Sequence, residues 1–320
     1  MKIVFLDACT VSREDDIDLS GLMALGNWIS HVITAPSETA DRIADADVVI
    51  SNKVLLDAAA IAAAPKLRLI AVAATGTNNV DFEAAKARGI QVCNVSGYST
   101  DSVAQHVLAL ILNLATNIHR TVARPEVWPQ SPIFTRLDYP IQQLSDLTLG
   151  LVGVGNIGSR VGEIAEAFGM NVQCYARPDT KVTSHLEWPR VLADDFFASS
   201  DVVSLHCPLT AGTQAFINAE SLQKMKSGVL LINTGRGELV DEAALLDSLL
   251  SGHLGGAGLD VLSPEPPRVD HPLINADLPN LLITPHSAWS SRTARQTLIH
   301  GVAANIRAFQ ETGQATNRVA

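Results

Sequence analysis

The segment Thr148-Leu-Gly-Leu-Val-Gly153-Val-Gly155-Asn156-Ile157-Gly158 joins a short apolar run to a glycine-rich turn, and apolar residues from Val161 to Phe168 follow at helical spacing. In a strand-turn-helix unit of this kind the first glycine permits the tight turn, the second lets the backbone approach a pyrophosphate, and the third lets helix and strand pack closely. The free N–H groups and the dipole at the helix N-terminus attract the anion. The segment therefore predicts a dinucleotide-binding Rossmann unit.

The composition favours a globular protein of two domains whose partners are small molecules. A chain of 320 residues exceeds the usual size of one core, and 47% hydrophobic residues supply ample surface to bury. The net charge of -10 and the lack of a basic run argue against nucleic acid or an anionic membrane as partner.

The cysteines and the apolar segments indicate a cytoplasmic location. Cys9, Cys93, Cys174 and Cys207 lie far apart without a CxxC pair, so neither a metal site nor a disulfide framework is expected. The apolar run that begins the chain ends at Asp7, too early for a signal peptide. The longest apolar helix candidate falls short of the ~20 residues that a bilayer requires.

Short apolar runs alternate with helical patterns, which is typical of parallel sheets covered by helices. The first series predicts strands at Ile3–Leu6, Val48–Ile50, Leu69–Val72 and Gln91–Asn94, and helices at Leu55–Ala63 and Asp81–Arg88. The second series predicts strands at Leu149–Val152, Val172–Tyr175, Val202–His206, Val229–Asn233, Gly256–Asp260 and Leu281–Thr284. We therefore expect a six-stranded doubly wound sheet in the second half.

The fold class expected is α/β with two domains. Residues 99–288 would form the Rossmann-type NAD(P)-binding domain, a doubly wound parallel sheet. Residues 1–98 and 289–320 would form a flavodoxin-like substrate domain, completed by the helix that follows His286. The Pro- and Trp-rich stretch from Arg124 to Asp146 is predicted to be a long loop that could wrap a partner subunit.

Polar residues follow three of the predicted strands, where an open parallel sheet binds its ligands. The motifs are Asn233-Thr-Gly-Arg236-Gly, Asp260-Val-Leu-Ser-Pro-Glu265-Pro-Pro and Thr284-Pro-His286-Ser-Ala-Trp. An Arg, a Glu and a His at one edge would supply an anion clamp, a carboxylate and a proton donor.

With these motifs the chain resembles the D-isomer-specific 2-hydroxyacid dehydrogenases, a family of NAD(P)-dependent enzymes. The resemblance spans nearly the whole chain and includes His206-Cys207-Pro208-Leu-Thr. Within the family it is similar to the bacterial glycerate dehydrogenases, also called hydroxypyruvate reductases, at Asn52-Lys53, Ala74-Thr-Gly76-Thr77 and the motif around His286. Glu126 departs from the pattern, because a glycine is common before Val127-Trp128, and the local loop is expected to differ.

The resemblance implies a role for individual residues. Arg236 would hold the substrate's carboxylate and carbonyl, His286 would be the acid/base, and Glu265 would pair with His286. Lys53 and the backbone of Gly76 and Thr77 would contact the substrate, with a plain turn as the alternative for Gly76-Thr77. The residues expected to bind the cofactor are Gly153, Gly155, Asn156, Ile157, Gly158, Arg177, Cys207, Pro208, Thr213, Thr234, Gly235 and Asp260.

The expected chemistry is the reduction of a small 2-keto acid, such as hydroxypyruvate or glyoxylate, to D-glycerate or glycolate. As hydride reaches C2, the carbonyl oxygen gains negative charge and imidazolium His286 donates a proton. Glu265 is expected to stabilise the imidazolium, so that the acid form is available at neutral pH. The planar fork of Arg236 suits a carboxylate in a way that Lys cannot copy.

The second strand of the Rossmann unit favours NADP(H) over NAD(H), which stays possible. NAD sites place an acidic residue about 20 residues beyond the glycines for the ribose 2′-OH, whereas an Arg there accommodates a 2′-phosphate. Here the strand ends Cys174-Tyr-Ala176-Arg177, and no carboxylate occurs before Asp179. The alternative is that Arg177 stacks on adenine and either cofactor serves.

Other interpretations stay open. A corepressor-like regulatory protein would keep this fold and use nicotinamide binding as a signal, and a dehydrogenase could act on another short 2-keto acid. D-3-phosphoglycerate dehydrogenase is disfavoured because no regulatory domain follows the terminal helix, and formate dehydrogenase is disfavoured by Glu265. The family and the Pro- and Trp-rich loop favour a homodimer.

Overall fold

The computed structural model describes residues 1–176 and 187–320. It divides into two compact units. The first unit comprises Met1–Ser99 and Trp289–Ala320, and the second unit comprises Thr100–Ala288. Each unit contains one sheet whose paired strands all run parallel.

Strands and helices alternate along most of the chain. The strands are β1 (Lys2–Phe5), β2 (Asn27–Ser30), β3 (Val48–Ser51), β4 (Leu69–Val72), β5 (Gln91–Cys93), β6 (Thr148–Val152), β7 (Asn171–Tyr175), β8 (Arg190–Val191), β9 (Val202–Leu205), β10 (Leu230–Asn233), β11 (Gly256–Leu259) and β12 (Leu281–Ile283). The helices are α1 (Ser20–Met23), α2 (Thr39–Ile43), α3 (Ala58–Ala62), α4 (Phe82–Ala87), α5 (Thr100–Thr116), α6 (Ile118–Val122), α7 (Asn156–Ala167), α8 (Ala193–Ser199), α9 (Ala219–Lys224), α10 (Glu242–Leu250), α11 (Pro272–Asn275) and α12 (Arg292–Thr312).

The sheet of the first unit has the strand order β2-β1-β3-β4-β5. This is the flavodoxin-like order of a doubly wound sheet. Successive residues of β1 enter different cores: Ile3 and Phe5 pack in the cluster that includes Val302 of α12, and Val4 packs in the cluster that includes Ile61 of α3. Apolar residues at every strand position are therefore required, because both faces of the sheet are buried.

The strand β2 is missing from the sequence prediction for this unit, and the predicted helix at Leu55–Ala63 begins later, at Ala58. The ends of β2 are exposed because the strand lies at the sheet edge, so its sequence Asn27-Trp-Ile-Ser lacks an apolar run. Asp57 sets the start of α3, because its side chain accepts a hydrogen bond from Ala60 N in the manner of an N-cap.

The sheet of the second unit has seven strands in the order β12-β11-β10-β9-β6-β7-β8, so the expectation of six strands is wrong. The additional strand, β8, pairs with β7 through only two residues, Arg190 and Val191, too few to produce an alternating or apolar pattern. The chain runs from β6 outward to β8 and then returns to β9 on the other side of β6. A sheet of this kind binds ligands in the crevice where the strand order reverses, here beside β6 and β9.

The stretch from Arg124 to Asp146 contains a 3-10 helix at Pro125–Gln130 and otherwise lacks regular structure. Large apolar side chains are exposed along and beside it. They are Ile118, Val122, Trp128, Ile133, Phe134, Leu137 and Ile141. Among the residues described, no helix combines the length and the apolar character needed to cross a membrane.

Candidate active site

The carboxyl ends of the strands bring the predicted site residues of the second unit to one edge of the sheet. Along that edge the strand order places His286 beyond β12, Asp260 beyond β11 and Arg236 beyond β10. Cys207 then follows β9, and Gly153 follows β6. Parallel strands end on the same side of their sheet, so these five strand-end segments share one edge.

The glycine turn between β6 and α7 has the geometry of an anion-binding loop. Gly153 has a φ of +100°, and a Cβ there would lie 2.6 Å from the backbone nitrogen of Cys207. A Cβ on Gly158 would lie 2.1 Å from the carbonyl oxygen of Gly153, whereas Gly155, the N-cap of α7, has open space within 4 Å of such an atom. Glycine at 153 and 158 therefore keeps the turn tight, and glycine at 155 leaves a backbone cradle at the helix N-terminus.

The segments that follow β9 and β10 lie beside this turn in the sheet. The hydroxyl of Thr213 accepts a hydrogen bond from Thr210 N at 2.8 Å and donates one to the carbonyl oxygen of Pro208 at 2.7 Å, so it closes its own loop. The buried hydroxyl of Thr234 has no hydrogen-bond partner within the described part of the chain. A buried polar atom of this kind usually has a partner, which a bound ligand can supply.

His206 precedes Cys207 at the end of β9. Burial lowers the pKa of His206 to about 4, so the imidazole is neutral at pH 7. Its Nε2 lies 2.9 Å from the hydroxyl of Ser204.

Taken together, the glycine turn and the unpartnered Thr234 hydroxyl fit a dinucleotide at this edge. Asn156 and Ile157 begin α7, where backbone N–H groups lack helical acceptors. Ala176 directly follows β7, and Arg177, the residue predicted to bind a 2′-phosphate, lies outside the described residues.

His286 and Glu265 form a direct pair, with 2.7 Å between Nδ1 and Oε2. The two side chains are 29% and 36% exposed, so the pair is accessible to a ligand while partly shielded from water. His286 has a φ of +50°, an uncommon conformation for a residue other than glycine. The backbone N–H of His286 donates a hydrogen bond to the carbonyl oxygen of Asp260 at 2.8 Å, which helps to hold that conformation.

Asp260, predicted to bind cofactor, is nearly fully buried and fastens the segment that carries His286. Its carboxylate accepts hydrogen bonds from Ser287 N and Ala288 N, each at 2.9 Å, and from the Thr284 hydroxyl at 2.6 Å. The Thr284 hydroxyl in turn lies 2.9 Å from Nε2 of His106 on α5. These contacts immobilise the backbone on both sides of His286.

Arg236 follows β10 in a turn closed by Asn233. The buried Asn233 side chain donates to the carbonyl oxygen of Arg236 at 2.7 Å and accepts from Gly235 N at 3.0 Å. The guanidinium donates to the Gly235 carbonyl oxygen at 2.7 Å, and no described carboxylate lies within ion-pair distance of it. Its positive charge is therefore available to an anionic ligand.

Gly237 brings the Arg236 segment into contact with the segment that carries Glu265. A Cβ on Gly237 would lie 2.3 Å from the carbonyl carbon of Leu262, 2.4 Å from its oxygen and 2.7 Å from Ser263 N. The two backbones can approach this closely only because residue 237 has no side chain.

The predicted substrate residues Lys53, Gly76 and Thr77 lie in the first unit, beyond the carboxyl ends of β3 and β4. The adjacent strands bring these segments to the same edge of that sheet. Asp7, which was not predicted as a site residue, follows β1 at this edge. Its carboxylate accepts hydrogen bonds from the backbone nitrogens of Asn52, Lys53 and Val54. Burial raises the pKa of the Asp7 carboxyl above its usual value. Its place directly after an apolar strand was the signal that could have revealed it.

Comparison with known proteins identifies relatives along almost the whole chain. Residues 108–288 match the family model described as "D-isomer specific 2-hydroxyacid dehydrogenase, NAD binding domain". A hydroxypyruvate reductase of Blautia hydrogenotrophica is 38% identical over 314 residues, with 97% of each chain covered. A glycerate dehydrogenase of Methylorubrum extorquens is 43% identical over 276 residues, with 86% of each chain covered.

A solved structure is similar to the chain as a whole. An acyclic imino acid reductase in complex with NADPH and D-Arg has a TM-score of 0.87 and 28% identity, and the match covers 100% of both chains.

Proposed function

The chain belongs to the D-isomer-specific 2-hydroxyacid dehydrogenase family, and from this premise we propose that it reduces hydroxypyruvate or glyoxylate to the D-2-hydroxy acid. It is an NAD(P)-dependent oxidoreductase that acts on the CH–OH group of a small hydroxy acid. The observation that carries the assignment of the active site is the 2.7 Å pair of His286 and Glu265, at the sheet edge shared with Arg236 and the glycine turn. The relatives named for hydroxypyruvate and glycerate supply the substrate class.

The His286 ring would carry the proton for the reaction. Because Nδ1 is engaged by Glu265, Nε2 is the nitrogen left to face a substrate oxygen. The negative charge of Glu265 stabilises the imidazolium form, which can then donate a proton from Nε2 to the carbonyl oxygen. In the reverse direction the neutral ring accepts the hydroxyl proton at the same atom. Asp260 keeps the ring in place through its hydrogen bonds to the flanking backbone.

The Arg236 guanidinium would bind the carboxylate of the keto acid. Its planar fork can donate two parallel hydrogen bonds, which fix the orientation of a carboxylate as well as its position. The turn held by Asn233 limits the movement of the Arg236 backbone. Lys53, Gly76 and Thr77 stay predicted substrate contacts, and Asp7 would position the Lys53 backbone among them.

The turn Gly153 to Gly158, the start of α7 and the Thr234 hydroxyl would hold the dinucleotide. A reduced nicotinamide supplies a hydride when it is bound. We further propose that NADPH is preferred, because Ala176 stands where a carboxylate would bind a ribose 2′-OH and would repel a 2′-phosphate. The NADPH bound by the similar imino acid reductase is compatible with this preference.

A panel of short 2-keto acids, assayed with NADPH and with NADH, tests both proposals. We expect the highest kcat/KM for hydroxypyruvate or glyoxylate and a clear preference for NADPH. A clear NADH preference would refute the cofactor proposal and leave the reaction intact. Nicotinamide binding without turnover of any keto acid would instead favour a regulatory, corepressor-like protein.

A homodimer is proposed from the exposed apolar side chains near Arg124–Asp146. Phe134 and Leu137 are 89% and 81% exposed, which is unusual for large apolar residues close together in sequence. We expect light scattering of the purified protein to give the mass of two chains. Phe134→Asp should shift the mass toward one chain, whereas a monomeric wild type would refute the proposal. We expect the enzyme to act in a reducing cytoplasm, where its four cysteines would not form disulfides.

A further inference from the structure

The first residue of α10, Glu242, contacts the loop that carries Glu265 at two points. Its Oε1 accepts a hydrogen bond from Ser263 N at 2.9 Å, and its Oε2 lies 3.0 Å from Nε2 of His271. Glu265 stands in the sequence between these two contacts. A single carboxylate therefore ties together the beginning and the end of the loop.

The His271 end of this connection is buried. The side chain is 6% exposed, and Nδ1 is a buried atom without a hydrogen-bond partner among the residues that the structure describes. A proton on an unpartnered buried nitrogen is costly, so we place the ring proton on Nε2, from which it is donated to Glu242. Water has little access to replace Glu242 as the acceptor.

The Ser263 end lies next to the active pair. Leu262 N donates to Oε1 of Glu265 at 3.2 Å, while Oε2 of the same carboxylate contacts His286. The backbone at Leu262, next to Ser263, therefore helps to hold the Glu265 carboxylate in place. Movement of Ser263 would be passed directly to the hydrogen bond between Glu265 and His286.

We propose that Glu242 is a positioning residue for the reaction, which holds the Glu265 carboxylate against the His286 ring by bridging Ser263 N and His271 Nε2. The proposal rests on the proposed function, because it takes Glu265 and His286 as the acid/base pair. Glu242 itself has no direct contact with substrate in this role. Its removal should loosen Glu265 and lessen the stabilisation of the His286 imidazolium.

The test compares Glu242→Ala and Glu242→Gln in hydroxypyruvate reduction with NADPH, over a range of about pH 5 to 9. A catalytic group displaced by about 1 Å costs roughly 10²-fold in rate, so we expect kcat of Glu242→Ala to fall about 10- to 100-fold. KM should change by less than about threefold, since Arg236 is untouched. The basic limb of the profile should move to lower pH. Glu242→Gln keeps an acceptor for one contact and should recover much of kcat.

A purely structural role for Glu242 gives a different result. It would lower the fraction of active enzyme without moving the pH profile, and its effect would multiply with that of Glu265→Gln. Under the proposal, Glu242→Ala in a Glu265→Gln background should cost less than about twofold further, because both changes remove the same interaction. Asp247→Asn, at an exposed carboxylate on the same helix, is the matched control and should behave like wild type.

Binding of NADPH provides a readout independent of turnover. Glu242→Ala should bind NADPH with the wild-type Kd, measured by fluorescence, because the glycine turn follows a different strand. Unchanged kcat, an unmoved pH profile or multiplicative effects would each overturn the positioning role. If Glu265→Gln leaves the pH profile unmoved, the assignment of Glu265 and His286 as the acid/base pair fails. If Glu265→Gln moves the pH profile and Glu242→Ala does not, only the positioning role of Glu242 fails.

Discussion

Replacement of Gly237 by alanine should damage catalysis more than folding. The added Cβ would lie 2.3 Å from the Leu262 carbonyl carbon, whereas ordinary van der Waals contact begins at 3.4 Å. The obstacle is backbone, which cannot rotate away, so the segments that carry Arg236 and Glu265 must separate by about 1 Å. A misplacement of about 1 Å at a catalytic group costs about 10²-fold, and we expect a loss of that size in kcat/KM.

The same overpacking should lower the free energy of unfolding by about 1–3 kcal/mol. For chains of about 150–250 residues each kcal/mol lowers Tm by about 2–4 °C, so the variant should stay folded at assay temperature. Hydroxypyruvate reduction measured by NADPH absorbance gives kcat/KM, and thermal unfolding gives Tm. Gly21→Ala is the control, because a Cβ there meets nothing within 4 Å. A folded Gly237→Ala enzyme with wild-type kcat/KM would refute the proposed close packing of the two catalytic segments.

Three further changes test the site and its electrostatics. Arg236→Lys should lower kcat/KM about 10- to 100-fold with unchanged Tm, since one charge-assisted hydrogen bond of about 1.5–3 kcal/mol is lost; wild-type activity would remove Arg236 from the site. Glu265→Gln should lower kcat about 10- to 100-fold, because the charge-assisted hydrogen bond to the His286 imidazolium, which contributes about 1.5–3 kcal/mol, is lost. His206 has a folded pKa of about 4 against about 6.5 unfolded, so the unfolded chain binds its proton first as pH falls. The free energy of unfolding should therefore drop by up to about 3 kcal/mol between about pH 6.5 and 4, and this part of the drop should be absent from denaturant titrations of His206→Gln.

The buried strands were predictable from sequence because both faces of each sheet are covered by helices. Leu69–Val72 and the strand before the glycine turn read as short apolar runs with turn residues after them. The two strands that were not predicted, β2 and β8, both lie at a sheet edge and lack that signal, since only part of β2 is covered and β8 contributes two residues.

The placement of three site residues at one sheet edge could also be predicted from the sequence, for a topological reason. Arg236, Glu265 and His286 follow neighbouring strands, and parallel strands deliver such residues to one edge. The contacts that support these residues could not be predicted from the sequence. Asp7 accepts a hydrogen bond from a backbone nitrogen 45 residues away, and Glu242 contacts His271, 29 residues away. Such partners depend on the distance between segments in the folded chain, which no local spacing records.

The strand order of the larger sheet places the residue expected to govern cofactor preference far from the residue expected to transfer the proton. Ala176 follows β7 and His286 follows β12, five strand positions apart. At about 4.8 Å per strand this separation is about 24 Å, beyond the roughly 10 Å within which substitutions usually influence one another. Substitutions that exchange one dinucleotide for the other should therefore combine additively with those that alter keto-acid chemistry, so that each trait can evolve, or be engineered, with little cost to the other.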